Sequence, residues 1–368
     1  MLELPNDNNE KITVHQPANQ KQLKVMRNMQ FFAELLKIAH ALETNAIPYI
    51  ALKGGAYLND IYPLGERFLT DIDILVKRKD LEWTKDVLKT ISYTYLKGPY
   101  PQSASMKGDI EITCLNQKAN IAIDLHFALV HGNRRAKANM HDDALFNNVR
   151  RTPDHGICVL SHEDALWFII EHSFNDGLSR GANRENPDLD YLDFKRYVNK
   201  YGEVINWRLF LTIVKERRLS NACGLFLRKL VKLYHVTIPE YVLQEVKANS
   251  ATKAIYERCE GYINPFSKDY NAIKNTNEQQ QKNIYRLAPK MSIRSIVCAF
   301  YEDTFSSKMA RLRHVLLPPI MSMKKWYGIA PEDPLPRLLY LSRLVSFIRL
   351  GLQAKLQNRR KARSVQSF

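Results

Sequence analysis

Tyr49-Ile50-Ala51-Leu52-Lys53-Gly54-Gly55-Ala56 and, beyond a gap of fifteen residues from Gly55, Asp71-Ile72-Asp73-Ile74-Leu75-Val76 decide how this chain is read. The first segment is an apolar run closed by a cation and two glycines; the second opens on two acids at i and i+2. Side chains alternate between the faces of a strand, so Asp71 and Asp73 project from one face of a sheet and can share metal ions. Few packing requirements would place both acids there, because like charges side by side repel.

Outward from this stretch, Ile47 to Leu52 reads as a short buried strand, Gly54-Gly55 as a tight turn, and Ala56 to Ile61 as a short helix stopped at Pro63. Asp71 to Val76 is the next strand and Leu81 to Thr90 a helix. Asp109 to Leu115 and Asn120 to Leu129 form a hairpin about residues 116–120. Upstream, Phe31, Phe32, Leu35, Leu36, Ile38, Ala39 and Leu42 recur at helical spacing, which predicts an amphipathic helix over Leu23 to Leu42. Helices and strands thus alternate about a mixed sheet.

From Ser161 the pattern changes. Ser161 with Asp164 ahead of Ala165-Leu166-Trp167-Phe168-Ile169-Ile170 has the form of a helix N-cap with an acidic first turn. Leu189 to Val198, Asn206 to Arg217, Asn221 to Tyr234 and Pro239 to Ala248 follow with helical periodicity. The expected organisation is a polar leader (1–22), an α+β domain with a mixed sheet and flanking helices (23–155), a mostly helical domain (156–300), and a C-terminal helical extension with a basic tail (301–368). Residues 262–284 read as loop-rich.

Moving a phosphoryl or nucleotidyl group requires neutralised phosphates and an aligned attacking oxygen, which divalent ions bridged by carboxylates supply. Asp71 and Asp73 offer two such acids. Asp124, in the apolar run Ile121-Ala122-Ile123-Asp124-Leu125, is a third, since an acid there is costly to bury without a cation. Magnesium, and manganese in its place, prefers oxygen ligands of this kind. Gly54 and Gly55 allow close backbone approach to an anion, and Lys53 and Arg67 are the nearest cations for a triphosphate, Arg67 the better suited to a bidentate contact.

At these residues the chain resembles a known family. Leu52-Lys53-Gly54-Gly55, Tyr62-Pro63, Arg67, Asp71 to Val76 and Ile123-Asp124-Leu125-His126 are similar to the uncharacterised bacterial nucleotidyltransferases of the DNA polymerase beta-like superfamily. The resemblance covers roughly residues 24 to 130, and more loosely runs to about 235. It implies metal-dependent transfer of a nucleoside monophosphate from a nucleoside triphosphate, ATP included, with pyrophosphate leaving. By position, Asp71 and Asp73 would bind both metals, Asp124 would bind the catalytic metal and help deprotonate the acceptor, and Gly54 and Gly55 would hold the triphosphate. Many superfamily members carry Gly-Ser at the turn, so Gly55 removes a hydroxyl contact; the fifteen-residue gap before Asp71 is also long for the pattern.

Other residues have quieter readings. His126 shares a strand face with Asp124 and reads equally as a proton shuttle, a carboxylate orienter or a satisfied structural histidine. Glu111, on the strand partner of Asp124, reads as a fourth acid at the site or, in preference, as facing water, and Asp190 and Asp193, at i and i+3 on one helix, as lining the acceptor cleft or, in preference, as a solvated face. Tyr93, Tyr95 and Tyr100 either stack on a base or cover the core. His162 and His172 are too far apart on their helix to share a metal.

The 368 residues are 45% apolar, enough for a sizeable core. Cys114, Cys158, Cys223, Cys259 and Cys298 have neither zinc-site spacing nor disulfide density, which points to a reducing cytoplasm. No signal-like leader and no uninterrupted apolar run of about 18 residues is present, against secretion and membrane spanning. Net charge is +16, and half of it lies in Leu335 to Phe368, with eight basic and no acidic residues. That tail fits either packing on the domain or contact with an anionic membrane surface through 335–363. The expected partners are a nucleoside triphosphate and an acceptor, a small molecule before protein or RNA. The competing classes are a non-catalytic nucleotide-binding regulator or membrane-surface adaptor, and a template-using or tRNA-modifying enzyme, which would bind nucleic acid with steep salt dependence outside the tail.

Overall fold

The frame of the chain is a mixed sheet whose strand Tyr49–Leu52 is apolar on both faces and whose strands Asp71–Val76 and Ile121–His126 are apolar on one face and polar on the other. The computed structural model describes residues 17–67, 69–96, 110–130, 142–173, 189–247 and 305–317, with isolated positions beyond. Among them, β1 (Tyr49–Leu52), β2 (Asp71–Val76), β3 (Thr94–Tyr95), β4 (Glu111–Asn116), β5 (Ile121–His126), β6 (Arg150–Arg151) and β7 (Cys158–Val159) line up in the order β3-β4-β5-β2-β1-β7-β6. β2 runs parallel to β5 and β1 parallel to β7; the other neighbours are antiparallel. All four residues of β1 are buried, which is why that segment reads as a continuous apolar run rather than an alternating one.

Helix α1 (Pro17–Thr44) buries Phe31, Leu35, Ile38 and Leu42, a stripe that returns about every turn, and packs on α2 (Lys53–Tyr57), α3 (Leu81–Thr90) and β2. Each such side chain is worth about 2 kcal/mol of burial. Tyr93 is core rather than platform: it is buried, and its hydroxyl donates to Glu34 Oε2 at 2.8 Å. Tyr100 lies outside the described residues.

Helix α4 (His162–His172) begins where Ser161 Oγ accepts the Asp164 N–H at 3.1 Å, and it is buried nearly all round. It is the centre of a helical unit formed with α5 (Leu189–Tyr201), α6 (Trp207–Glu216) and α7 (Ser220–Tyr234), followed by α8 (Glu240–Glu245). Asn206 caps α6 by accepting the Leu209 N–H. A further helix, α9 (Phe305–Leu316), is described beyond residue 304.

Four expectations change. The helix after β1 spans Lys53–Tyr57, not Ala56 to Ile61, so Gly54 and Gly55 lie within it. The chain reverses one residue earlier, at Lys53, whose φ is +47°. The boundary drawn between 155 and 156 cuts a hairpin: Thr152 N–H donates to Ile157 O, Gly156 turns with φ +65°, and β7 joins β1 through Ala51 and Val159. Two-residue strands carry no alternation for a sequence reading to find, so β3, β6 and β7 were not foreseen. The leader also ends earlier, since α1 starts at Pro17.

Cys114, Cys158 and Cys223 are buried free thiols. No helix among the described residues is long and apolar enough to cross a membrane. The loop-rich reading of 262–284, Asp109 and most of the tail from Leu335 lie outside the described residues.

The connector from Leu58 to Thr70 joins the two halves. α5 presents Asp193, Arg196, Lys200 and Tyr201 to it, residues that share a helix face by spacing. Arg67 pairs with Asp193, Glu66 with Arg196, and the buried Asp60 with Lys200, Tyr201 and Arg150. Burial works against ionisation of Asp60, but Lys200, Tyr201 and Arg150 outweigh it and lower its pKa. On the other side, Asn28 of α1 accepts the Gly65 N–H and donates to Arg67 O. The length that looked anomalous in the sequence is the surface on which the helical unit docks.

Candidate active site

One face of the sheet carries the acids. Asp73 pairs in register with Asp124, Asp124 with Thr113, and His126 with Glu111, so period-2 alternation puts Asp71, Asp73, Asp124, His126, Thr113 and Glu111 on the same side. The opposite side of the same strands is Ile72, Ile74, Ile123, Leu125 and Ile112, all buried. That contrast fixes register, since a one-residue slip would bury the acids in the core.

Each acid has Oδ1 engaged by the protein. Thr70 Oγ1 donates to Asp71 Oδ1 at 3.0 Å and Thr113 Oγ1 to Asp124 Oδ1 at 2.8 Å. Asp73 Oδ1 lies 2.7 Å from Lys53 Nζ and 3.0 Å from His126 Nε2. The other ring nitrogen, Nδ1, faces Glu111 Oε2 at 3.4 Å. Lys53 reaches Asp73 from left-handed backbone, a conformation that costs a non-glycine residue about 1 kcal/mol or more. The pairing of Leu52 with Asp73 across β1 and β2 brings them together.

The charges are unequally compensated. Burial disfavours the ionised form of Asp73, yet Lys53 and His126 hold its carboxyl well below the usual carboxylate range. At Asp71, burial and then the charges of Asp73 and Asp124 push the pKa up to about 6. Between about pH 4 and 6 the folded chain therefore holds a proton at Asp71 that the unfolded chain releases, and stability falls as pH rises through that window. Asp73 acts oppositely: its contribution is present above the unfolded value near 4 and is lost as pH falls below it. Asp71→Asn is expected to stabilise the protein at pH 7.5 by about 2 kcal/mol and to flatten the dependence between pH 4 and 6. Chemical denaturation across that range checks both.

This donor set fits a divalent cation in chemistry and charge: three carboxylates supply hard oxygens on one sheet face, and burial together with Asp73 and Asp124 outweighs Lys53 and Thr70 at Asp71. Among the described residues no three His, Cys, Asp or Glu side chains are already gathered as a metal-holding group. The Lys53 ammonium supplies positive charge against Asp73 instead.

Arg67 is placed differently from expectation. Nε and Nη2 form a bidentate pair with Asp193 at 3.0 and 2.8 Å, both side chains buried, between the rings of Tyr57 and Tyr62. Burial lowers its pKa and Asp193 more than restores it, so the guanidinium is held charged. Its third nitrogen, Nη1, packs on Gly54. A Cβ on Gly54 would collide with Arg67 Nη1 and Leu69 Cδ2, so this glycine makes room for the clasped guanidinium. Gly55 differs, since a Cβ there would meet Leu35 at 3.6 Å, an ordinary contact. Gly54→Ala is expected to cost about 2 kcal/mol and Gly55→Ala to be neutral or slightly stabilising in thermal melts.

Asp190, Asp193 and Glu111, expected to face water, are all buried. Asp190 lies 3.0 Å from His172 Nδ1, Asp193 holds Arg67, and Glu111 faces His126. Thr113 and Asn28 were missed. Only the hairpin register opposite Asp124 could have signalled Thr113, and nothing local signalled Asn28.

Residues 12–235 match the model of a family described as "Uncharacterised nucleotidyltransferase". None of the curated proteins compared with the chain matches it. Among solved structures, that of the antibiotic-resistance factor ANT(2'')-Ia is similar at 9% sequence identity, covering 58% of this chain and 97% of that chain with a TM-score of 0.32.

Proposed function

Since this chain belongs to the uncharacterised nucleotidyltransferase family, we propose that it transfers a nucleoside monophosphate from a nucleoside triphosphate to a small-molecule acceptor, with magnesium or manganese held by Asp71, Asp73 and Asp124. The observation that carries this reading is the polar sheet face, where three acids share one side of two parallel strands and the pKa of one of them is pushed up to about 6 by burial and then by the other two. When bound, divalent ions neutralise the phosphates and stabilise charge on the attacking and leaving oxygens.

The chain's own residues supply orientation and proton transfer. The acceptor hydroxyl oxygen forms a bond to the α-phosphorus as the bond from that phosphorus to the bridging oxygen of the β-phosphate breaks, and pyrophosphate leaves with that electron pair. Asp124 takes the hydroxyl proton. Lys53 is within reach of the same face and supplies a cation to the phosphates. Arg67 contributes through Nη1 against the Gly54 backbone while Asp193 holds its other two nitrogens. Gly55, where a Cβ would point at Leu35 and Ile72 of the core, has only its backbone to offer the triphosphate. The helical unit from α4 onward forms the acceptor side, joined to the sheet through the connector, and the basic tail supplies any contact with an anionic membrane.

The test is pyrophosphate release by the full chain with Mg²⁺ or Mn²⁺, each of the four common nucleoside triphosphates and fractionated cell extract as the acceptor source. Release that requires metal, triphosphate and extract supports transfer. Metal-dependent nucleotide binding without release under any of these conditions would replace it with a nucleotide-binding regulator.

A further inference from the structure

We propose that Glu111 and His126 are positioning residues that fix the Asp73 carboxylate for metal binding, an inference that rests on the reading of Asp73 as a metal-holding acid. The three side chains form a line across neighbouring strands. Glu111 on β4 is the register partner of His126 on β5, and His126 is opposite Leu75, two residues beyond Asp73 on β2. Glu111, His126 and Asp73 are exposed to 7%, 3% and 4%.

An ionised carboxylate only accepts hydrogen bonds, so in the 3.0 Å contact His126 Nε2–H donates to Asp73 Oδ1. Lys53 Nζ donates to that same oxygen at 2.7 Å. Two donors from different directions on one oxygen set the rotation of the carboxylate and leave Oδ2 as the oxygen offered to a cation. Glu111 Oε2 lies 3.4 Å from Nδ1, an ion pair when both ring nitrogens carry protons, and bounds the ring on its far edge. Burying two acids around one imidazole is costly, and apolar side chains of similar volume would pack at least as well. A carboxylate oriented in this way binds metal more tightly than one free to rotate, and loss of such a support typically weakens binding ten- to a hundredfold.

The test is Mn²⁺ binding by calorimetry, with Mn²⁺ alone as the probe, on the full chain and its His126→Phe, His126→Gln, Glu111→Leu and Glu111→Gln variants. His126→Phe and Glu111→Leu are expected to weaken Mn²⁺ binding ten- to a hundredfold while the thermal midpoint stays level or rises. His126→Gln, whose amide can still donate to Asp73, recovers most of the affinity. Where turnover is measured, kcat falls while KM for the triphosphate stays within about threefold. Folded His126→Phe protein that binds Mn²⁺ as the wild type does would reduce the pair to a packing role. Should His126→Phe not fold, wild-type affinity in Glu111→Leu overturns the proposal. Wild-type protein that binds no Mn²⁺ overturns the metal-site reading itself, an outcome separate from equal binding by wild type and variants.

Discussion

Asp73→Asn protein is expected to release pyrophosphate at least on the order of a thousandfold more slowly than the wild type, with its fold intact. The substitution keeps the size of the side chain and an oxygen that accepts from Lys53 Nζ and His126 Nε2, now at 2.7 and 3.0 Å. What it removes is the negative charge. Asp73 is the acid that its surroundings keep ionised most firmly, so it carries full charge throughout the working range, whereas Asp71 is still partly protonated near pH 6. Near-wild-type kcat in folded Asp73→Asn protein, with metal still required, would remove Asp73 from the site. Asp71→Asn should be as inactive and yet more stable at pH 7.5. Such opposite effects on stability and turnover are the mark of a charge held at a cost for function.

Asp193→Ala should destabilise the protein by about 3–5 kcal/mol, the largest stability loss expected outside the apolar core. The reason is what remains. Arg67 is buried beside Tyr57 and Tyr62, and without Asp193 its guanidinium has lost a bidentate partner at a position screened from solvent. Glu66 with Arg196 is more exposed and should cost under about 1 kcal/mol when broken. Replacing both members of the buried pair, as in Arg67→Met with Asp193→Leu, should restore much of what Asp193→Ala loses, because no charge is then stranded. Urea denaturation of the two single variants and the double one measures this. A loss below about 1 kcal/mol for Asp193→Ala would mean that the connector is not anchored through this pair. The same series separates stability from activity: if Arg67 only ties α5 to the connector, the double variant should keep its turnover, and if Nη1 also serves the triphosphate, KM should rise.

The acids were legible for a local reason. A strand's alternation is set by the backbone, so Asp71 and Asp73 share a face wherever that strand packs, and Asp124 in an apolar run demands a cation or a partner wherever it lies. The same holds for Ser161, whose cap needs only the three residues that follow. Glu111 and Asp193 were misread because polarity alone predicts water. Whether an acid faces solvent depends on what stands opposite, His126 across a hairpin for one and Arg67, 126 residues away, for the other. The glycines were placed in a turn because glycine is the usual residue for left-handed backbone, but Lys53 takes that conformation.

From the sequence by itself came the order of helices and strands, the apolar stripe of α1, the shared face of Asp71 and Asp73, and the third acid on β5. These follow from periodicities of 2 and 3.6 residues that the peptide backbone imposes over a few neighbours. Only the tertiary structure decided that β6 and β7 extend the sheet, that the connector is the dock for α5, that Arg67 is clasped by Asp193, and that Glu111, His126 and Lys53 converge on Asp73. Those contacts join residues from 15 to 141 positions apart. They form because buried charges must find opposite charges, and burial is settled only once distant segments pack together.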